Sequence, residues 1–407
     1  MLCCAANLPD NRLTPEMAGD VSPPRPRVLV AEDQASVADA ITILLKQNGL
    51  DVQTVDSPDA AIRALQAHEF DLVLMDMNYH RDTTTGAEGL ELLARIQILD
   101  RGLPVIVMTA WGSIEVAVQA MQRGASDFIQ KPWDNRWLIE VIERQIRRAE
   151  QARRAARQEQ FEMDEAVEIQ RKLVPQTMPS IPGTEISAVL HTARPIGGDY
   201  FDVLKLSDTS LAVCVADAVG KGVPAALLMA NLQAVVRAVA GPSPAELCAR
   251  VNRILRATDI SGKYTSLFYG VLDANSMEFS YCNAGHPSPL LLTNQGNLVA
   301  LERGGAVLGH FPDWKYEQDT VRLGRGDRMV IYTDGIAEAT NVAGEQFGLK
   351  GIAATLRAHA SGEAEEIRDQ IMNAVQHHCG GPPEDDATLL VIALLGNRVS
   401  GAGVGRR

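Results

Sequence analysis

Short, solidly apolar runs that end on a carboxylate recur along this chain. Val28-Leu29-Val30-Ala31 leads into Glu32-Asp33, and Leu72-Val73-Leu74-Met75 leads into Asp76. Far downstream, Leu211–Ala216 leads into Asp217 and Arg328–Tyr332 into Thr333-Asp334. A strand without polar alternation is covered on both faces. Acids at its end are costly to bury unless they hold cations. Such runs demand layered folds whose strand ends carry cation or phosphate chemistry.

In the first third of the chain the runs alternate with helical periods. Val37, Ile41, Leu44 and Leu45 share one helix face, and Pro58–Leu65, Leu90–Ile98 and Ile114–Met121 are further helical stretches. Val52–Val55, Val105–Met108 and Phe128–Ile129 complete a set of five strands. The expected fold over residues 26–145 is α/β, a doubly wound five-stranded parallel sheet, with ligands at the carboxyl ends of its strands. Glu32, Asp33, Asp76, Thr109 and Lys131 all fall at those ends.

From Asp134 to about Val174 a helical period runs without a turn signal, until Pro175 and Pro179 stop it. Its narrow, Ala-rich stripe predicts a coiled-coil or helix-pair linker over residues 146–180, and a homodimer formed through it. Six arginines between Arg144 and Arg157 alternate with Glu150 and read as a solvated face. After Pro182 short alternating strands dominate, with helices at Pro224–Ala240, Pro244–Ala257, Leu349–His359 and Ala364–His378. Residues 181–395 are therefore expected to form an α+β domain, an antiparallel β-sandwich flanked by helices. Residues 1–25 read as a disordered leader and residues 396–407 as a disordered tail.

Composition removes several function classes. A net charge of −13 on 407 residues disfavours a general nucleic-acid binder. The six cysteines show no zinc spacing and suit a reducing compartment. No apolar stretch reaches the ~18–20 residues of a membrane span, so a cytoplasmic protein is expected.

Three carboxylates converging at one sheet edge repel one another unless a divalent ion sits among them, and an all-oxygen set favours Mg²⁺. One of them can then attack a phosphoryl donor. Lys131 and Thr109 can neutralise and hydrogen-bond the phosphate. The acidic pair, the strand-end Asp76, Thr109-Ala110 and Lys131-Pro132 together resemble the receiver domain of two-component response regulators, over roughly residues 27–145. The resemblance implies that Asp76 is the phosphoacceptor. It implies that Glu32, Asp33, Asp76 and the carbonyl of Asn78 bind Mg²⁺. It implies a switch formed by Thr109 and Phe128 beside Lys131, and a cognate histidine kinase as partner. The loop Met77–Gly86 is longer than typical and lacks the usual Met-Pro.

The second acidic set is Asp199 after Gly197-Gly198, Asp217 before Ala218-Val219-Gly220-Lys221, Asp334 in Thr-Asp-Gly, and Asp385-Asp386 before the last strand. Four acids without His or Cys suit two hard cations, Mn²⁺ or Mg²⁺, which activate water and polarise phosphate. In this order the motifs look like the PPM family of metal-dependent Ser/Thr phosphatases, in its bacterial sporulation and general-stress branch. The resemblance implies metal binding by Asp199, Asp217, the carbonyl of Ala218, Asp334 and Asp385, with Asp386 as the alternative to Asp385. Arg194 is a candidate clamp for substrate phosphate. His286 in Asn283-Ala284-Gly285-His286-Pro287 reads as a turn residue before a general acid, and Lys221 as a solvated loop residue. Ala166–Pro175 resembles the switch helix of the same branch, whose substrates are phosphorylated anti-sigma-factor antagonists of the STAS type. The expected function is a phosphatase controlled by phosphorylation of Asp76. A receiver-linked module that binds a phosphoprotein without hydrolysing it is the alternative.

Overall fold

The computed structural model describes residues 25–79, 86–109, 114–258 and 262–395. Most of the expected leader, the expected tail, the greater part of the long loop after Asp76 and the stretch 110–113 lie outside the described residues. The chain divides into two compact units, Met1–Gln160 and Phe161–Arg407.

The first unit contains β1 (Arg27–Ala31), α1 (Ala35–Gln47), β2 (Asp51–Val55), α2 (Pro58–Ala67) and β3 (Leu72–Asp76). It continues with α3 (Ala87–Leu99), β4 (Val105–Thr109), α4 (Ile114–Gln122), β5 (Asp127–Gln130) and the start of α5 (Asn135–Leu173). All its strand pairs are parallel, in the order β2-β1-β3-β4-β5. The apolar runs occupy the central strands: every residue of β3 and β4 is buried. One core lies on each sheet face. Leu29, Val73 and Val107 join Leu92, Leu93 and Ile96 on one side. Val28, Val30 and Ile106 join Ile41, Leu45, Leu138 and Ile142 on the other. The period-2 alternation of the strands and the 3–4 spacing of the helices make both layers possible.

The long helical period is one helix of 39 residues. Asp134 caps it, its Oδ1 accepting from the backbone N–H of Arg136 and of Trp137. Only Leu138, Val141, Ile142, Gln145 and Ile146 are buried along it. Beyond them the surface is charged, with Arg147–Glu143, Arg154–Glu150 and Lys172–Glu168 pairs one turn apart. The expected solvated face is what these pairs describe.

The second unit adds β6 (Thr184–His191), β7 (Asp199–Lys205), β8 (Ser210–Ala218), α6 (Val223–Val239) and α7 (Pro244–Ala257). Then come β9 (Thr265–Asp273), β10 (Glu278–Ala284), β11 (Leu290–Leu292), β12 (Leu298–Ala300), β13 (Gly304–Gly305), β14 (Asp319–Arg322) and β15 (Arg328–Tyr332). α8 (Asp334–Ala337), α9 (Gly348–Ala358), α10 (Ala364–Cys379) and β16 (Ala387–Leu394) close it. One sheet runs β13-β10-β9-β8-β7 with β14 on β10, and the other runs β12-β11-β15-β16-β6. Pairing is antiparallel except between β10 and β13. Phe201, Val213, Phe268 and Phe279 of one sheet meet Met329, Ile331, Leu390 and Ile392 of the other. Helices α6 and α7 cover the first sheet from outside, and α9 and α10 cover the second. The result is a helix–sheet–sheet–helix sandwich. Among the described residues no helix is long and apolar enough to cross a membrane.

Candidate functional site

In the first unit the parallel sheet brings three strand ends together. The carboxylate oxygens of Glu32, Asp33 and Asp76 lie within 4.8 Å of one another. Lys131, just past β5, donates to Glu32 at 2.7 Å and to Asp76 at 2.8 Å. The Lys131–Pro132 peptide is cis. Burial pushes the Glu32 carboxyl up, and the hydrogen bond from Lys131 opposes it. Burial also works against the Lys131 ammonium, but its bonds to Asp76 and Glu32 prevail and raise it. Asp76 Oδ1 accepts from the N–H of Met77, which fixes that oxygen, while Oδ2 faces Lys131. Thr109 is buried at the end of β4, and its carbonyl accepts from the N–H of Lys131. Phe128 is largely exposed on β5. Asn78 is half-buried after β3. Three clustered oxygen donors with a lysine against two of them fit a hard divalent ion and a phosphoryl group.

In the second unit the antiparallel register makes the site. Asp199 on β7 stands directly opposite Asp217 on β8, and Asp217 stands opposite Ser266 on β9. Opposed residues share a face with Cβ atoms about 4.5–5.5 Å apart. Asp199, Asp217, Asp334, Asp385 and Asp386 line one cavity of about 470 Å³, with Ser266, His286 and Lys221. Among the described residues these acids do not form a single tight knot like that of the first unit. They surround a space instead.

Asp199 is almost fully buried, and its Oδ2 accepts from the hydroxyls of Thr333 and Thr388, each at 2.7 Å. Thr388 is in β16 of the other sheet and Thr333 follows β15 of that sheet, so the site lies where the two sheets meet. Burial first, then the charge of Asp217, drives the Asp199 carboxyl well up. Burial, with the charges of Asp334, Asp385 and Asp386, pushes Asp217 up to about 7. Asp334 is raised too, chiefly by burial. Carboxyls that resist ionisation together are the expected behaviour of a cation site without its cations. The donor set therefore fits hard divalent ions.

The paired glycines before Asp199 answer to close approach. A Cβ on Gly197 would collide with the Asp386 carboxylate, and one on Gly198 would come within 2.6 Å of the Ala218 carbonyl. Asp386 accepts from the N–H of Ala193 at 2.9 Å and of Gly198 at 2.8 Å. Its two oxygens are thus committed to the backbone, while Asp385 is more exposed, with Oδ1 accepting from the Asp386 N–H and Oδ2 facing Lys221. Ala218 ends β8 beside Asp217. Asp202 turns away from the cavity into a buried pairing with Tyr200 and Arg237.

Lys221 is an exposed loop residue, as expected, and it pairs with one of the acids. Its Nζ lies 2.9 Å from Asp385 Oδ2, because the glycine turn after β8 carries it back over the cavity. Arg194 is exposed and stands beside Gly222, outside the cavity walls. His286 is buried with Nδ1 2.8 Å from Ser266 Oγ. Its N–H donates to Asn283 Oδ1, and Asn283 Nδ2 returns a bond to its carbonyl. Burial pushes the imidazole down to about 3. The turn is held by the His286 backbone through Asn283, and the ring meets Ser266. Thr333, Thr388 and Ser266 were assigned no role from the sequence. The two threonines lie inside the Thr-Asp-Gly and Asp-Asp-Ala-Thr motifs, a signal that was available.

A family model for the response regulator receiver domain matches residues 28–143. One for stage II sporulation protein E (SpoIIE) matches residues 207–395. The first match falls on the parallel-sheet unit and the second on most of the antiparallel sandwich, so the chain is similar to a receiver domain and then to a SpoIIE domain. Asp199 lies just before the second matched span. Protein IcfG of Synechocystis sp. is 29% identical over 262 residues, covering 57% of this chain and 41% of that protein. Phosphoserine phosphatase RsbU of Bacillus subtilis is 27% identical over 236 residues, covering 57% of this chain and 69% of that protein. The SiaA-PP2C domain of Pseudomonas aeruginosa superposes with a TM-score of 0.53 at 22% identity, covering 59% of this chain and 98% of that domain. That likeness shows a shared fold.

Proposed function

We propose that this protein is a metal-dependent phosphoserine/phosphothreonine phosphatase whose activity is set by phosphorylation of Asp76. The observation that carries the reading is the row Asp199–Asp217 across β7 and β8, facing Asp334 and Asp385 around one cavity. Asp199, Asp217, the Ala218 carbonyl, Asp334 and Asp385 would hold two Mn²⁺ or Mg²⁺ ions. Bound there, such ions supply activated water and polarise the phosphate. Asp386 braces the backbone at Ala193 and Gly198, Thr333 and Thr388 fix Asp199, and Arg194, exposed beside Gly222, would reach in from outside the cavity wall to clamp the phosphate. In the receiver, Glu32, Asp33, Asp76 and the Asn78 carbonyl would hold Mg²⁺ while Lys131 pairs with the phosphoryl group. Thr109 and Phe128 would report its arrival.

The substrate in this reading is a phosphorylated anti-sigma-factor antagonist of the STAS type in a partner-switching circuit, and the phosphodonor a cognate histidine kinase. RsbU, named a phosphoserine phosphatase, supports the chemistry. We place the protein in the cytoplasm as a homodimer through residues 146–180, between a receiver at 26–145 and a phosphatase at 181–395.

Mn²⁺-dependent hydrolysis of p-nitrophenyl phosphate tests the chemistry, with Asp217→Asn as control. Wild-type inactivity, or full activity in the variant, rules it out. Turnover with and without a beryllofluoride mimic tests the control; a difference that survives in Asp76→Ala rules out Asp76 as its origin.

A further inference from the structure

An exposed aromatic strip runs outward from the acid-lined cavity. Tyr264 stands in the cavity wall and meets the His310 ring edge-on, centroids 6.2 Å apart. His310 meets Phe311 at 4.6 Å, and Phe311 meets Trp314 at 5.5 Å. Tyr264, Phe311 and Trp314 are 41%, 40% and 44% exposed. Single exposed rings are ordinary on a protein surface, but contiguous ones beside a cavity mark an interaction site.

The backbone under the strip is held in place. Thr265 and Leu308 exchange two backbone hydrogen bonds, which ties the strip to the cavity wall. Buried Asn252 on α7 accepts from the N–H of Gly309 and donates to the Phe311 carbonyl. Arg256 donates to the carbonyl of His310. Trp314 lies against Gly305, where a Cβ would come within 2.5 Å of the indole nitrogen. Rings on a fixed backbone lose little conformational entropy when a partner covers them.

We propose that this strip docks the polypeptide carrying the phosphoserine or phosphothreonine, and that it takes an apolar or aromatic side chain flanking the phosphorylated residue. Continuity selects this occupant, since Tyr264 belongs both to the strip and to the cavity that would receive the phosphate. The path from Tyr264 to Trp314 matches the reach of roughly three to five extended residues. The strip therefore sets sequence preference while the acids perform the chemistry. The inference rests on the phosphatase reading.

The test uses the full-length Mn²⁺-loaded protein with Phe311→Ala and Trp314→Ala. Substrates are p-nitrophenyl phosphate and two phosphothreonine peptides, one with Leu and Phe at the flanking positions and one with Gly there. The wild type should prefer the apolar peptide. Each variant should raise KM for that peptide by about tenfold and leave the Gly peptide and p-nitrophenyl phosphate unchanged. Wild-type activity without peptide preference overturns the inference alone, as does an equal loss on all three substrates in the variants. Wild-type inactivity towards p-nitrophenyl phosphate overturns the phosphatase reading and the inference with it. A dimer that Trp314→Ala dissolves, with peptide KM unchanged, gives the strip to a second copy of this chain and overturns the proposal.

Discussion

Gln170 and Gly197 exchange two hydrogen bonds. Gln170 Nε2 donates to the Gly197 carbonyl at 2.7 Å, and the Gly197 N–H donates to Gln170 Oε1 at 3.1 Å. The last turns of α5 are thereby fastened to the glycine pair that precedes Asp199. Gln233 of α6 donates to the Leu173 carbonyl and fastens the end of the same helix again. A displacement of this part of α5 would be felt at Asp199 first.

Gln170→Ala should therefore cost activity as well as stability. Two hydrogen bonds at a partly exposed position are worth about 1–2 kcal/mol in folding. Turnover of p-nitrophenyl phosphate should fall about tenfold or more, with weaker Mn²⁺ binding by calorimetry. Unchanged kinetics and metal affinity in a folded variant would show that this clasp does not position Asp199.

The metal-free protein should become less stable as pH rises. Asp217 ordinarily titrates near 3.8 and is pushed up to about 7 when folded. Between those values the folded state holds more protons than the unfolded state, so stability falls with pH and the penalty is complete above the folded value. It is on the order of a few kcal/mol. In EDTA, Asp217→Asn should melt above the wild type at pH 8 and lose that advantage at pH 4. A gap of equal size at both pH values contradicts this assignment.

If Asp385 holds a cation as proposed, Lys221 competes with it for that carboxylate. Both side chains are about half exposed, at 48% and 50%, so the ion pair is weak. Lys221→Met should tighten Mn²⁺ binding about two- to fivefold. Weaker binding in the variant would mean that the lysine assists the site instead of shielding it.

Removing Lys131 leaves Glu32 and Asp76 buried without their cation. Lys131→Ala should destabilise the receiver by roughly 3 kcal/mol, measured by urea denaturation, and Mg²⁺ should restore part of the loss. Phosphorylation by acetyl phosphate should fall sharply. A variant as stable as the wild type in EDTA would show that the two carboxylates are not strained by each other.

The acidic ends of apolar runs were legible because strand burial and carboxylate cost are local properties. They led to Glu32, Asp76, Asp217 and Asp334, and to the two kinds of sheet. The different hydrogen-bond partners of Asp385 and Asp386 were not legible. Adjacent identical residues differ only in which backbone N–H groups reach them, here those of Ala193 and Gly198. The pairing of Lys221 with Asp385 was not legible for a similar reason, since a glycine turn decides where its long side chain goes. The strip from Tyr264 to Trp314 joins rings some fifty positions apart, which no local period records.

Residue order alone determined the parallel sheet, the long helix and the sandwich, because hydrophobic period and strand-end chemistry are written in consecutive residues. Only the tertiary structure decided that Asp199 faces Asp217, that threonines of the second sheet hold Asp199, and that Gln170 grips Gly197. Those relations depend on register and on the approach of separate elements, which follow from packing the whole domain.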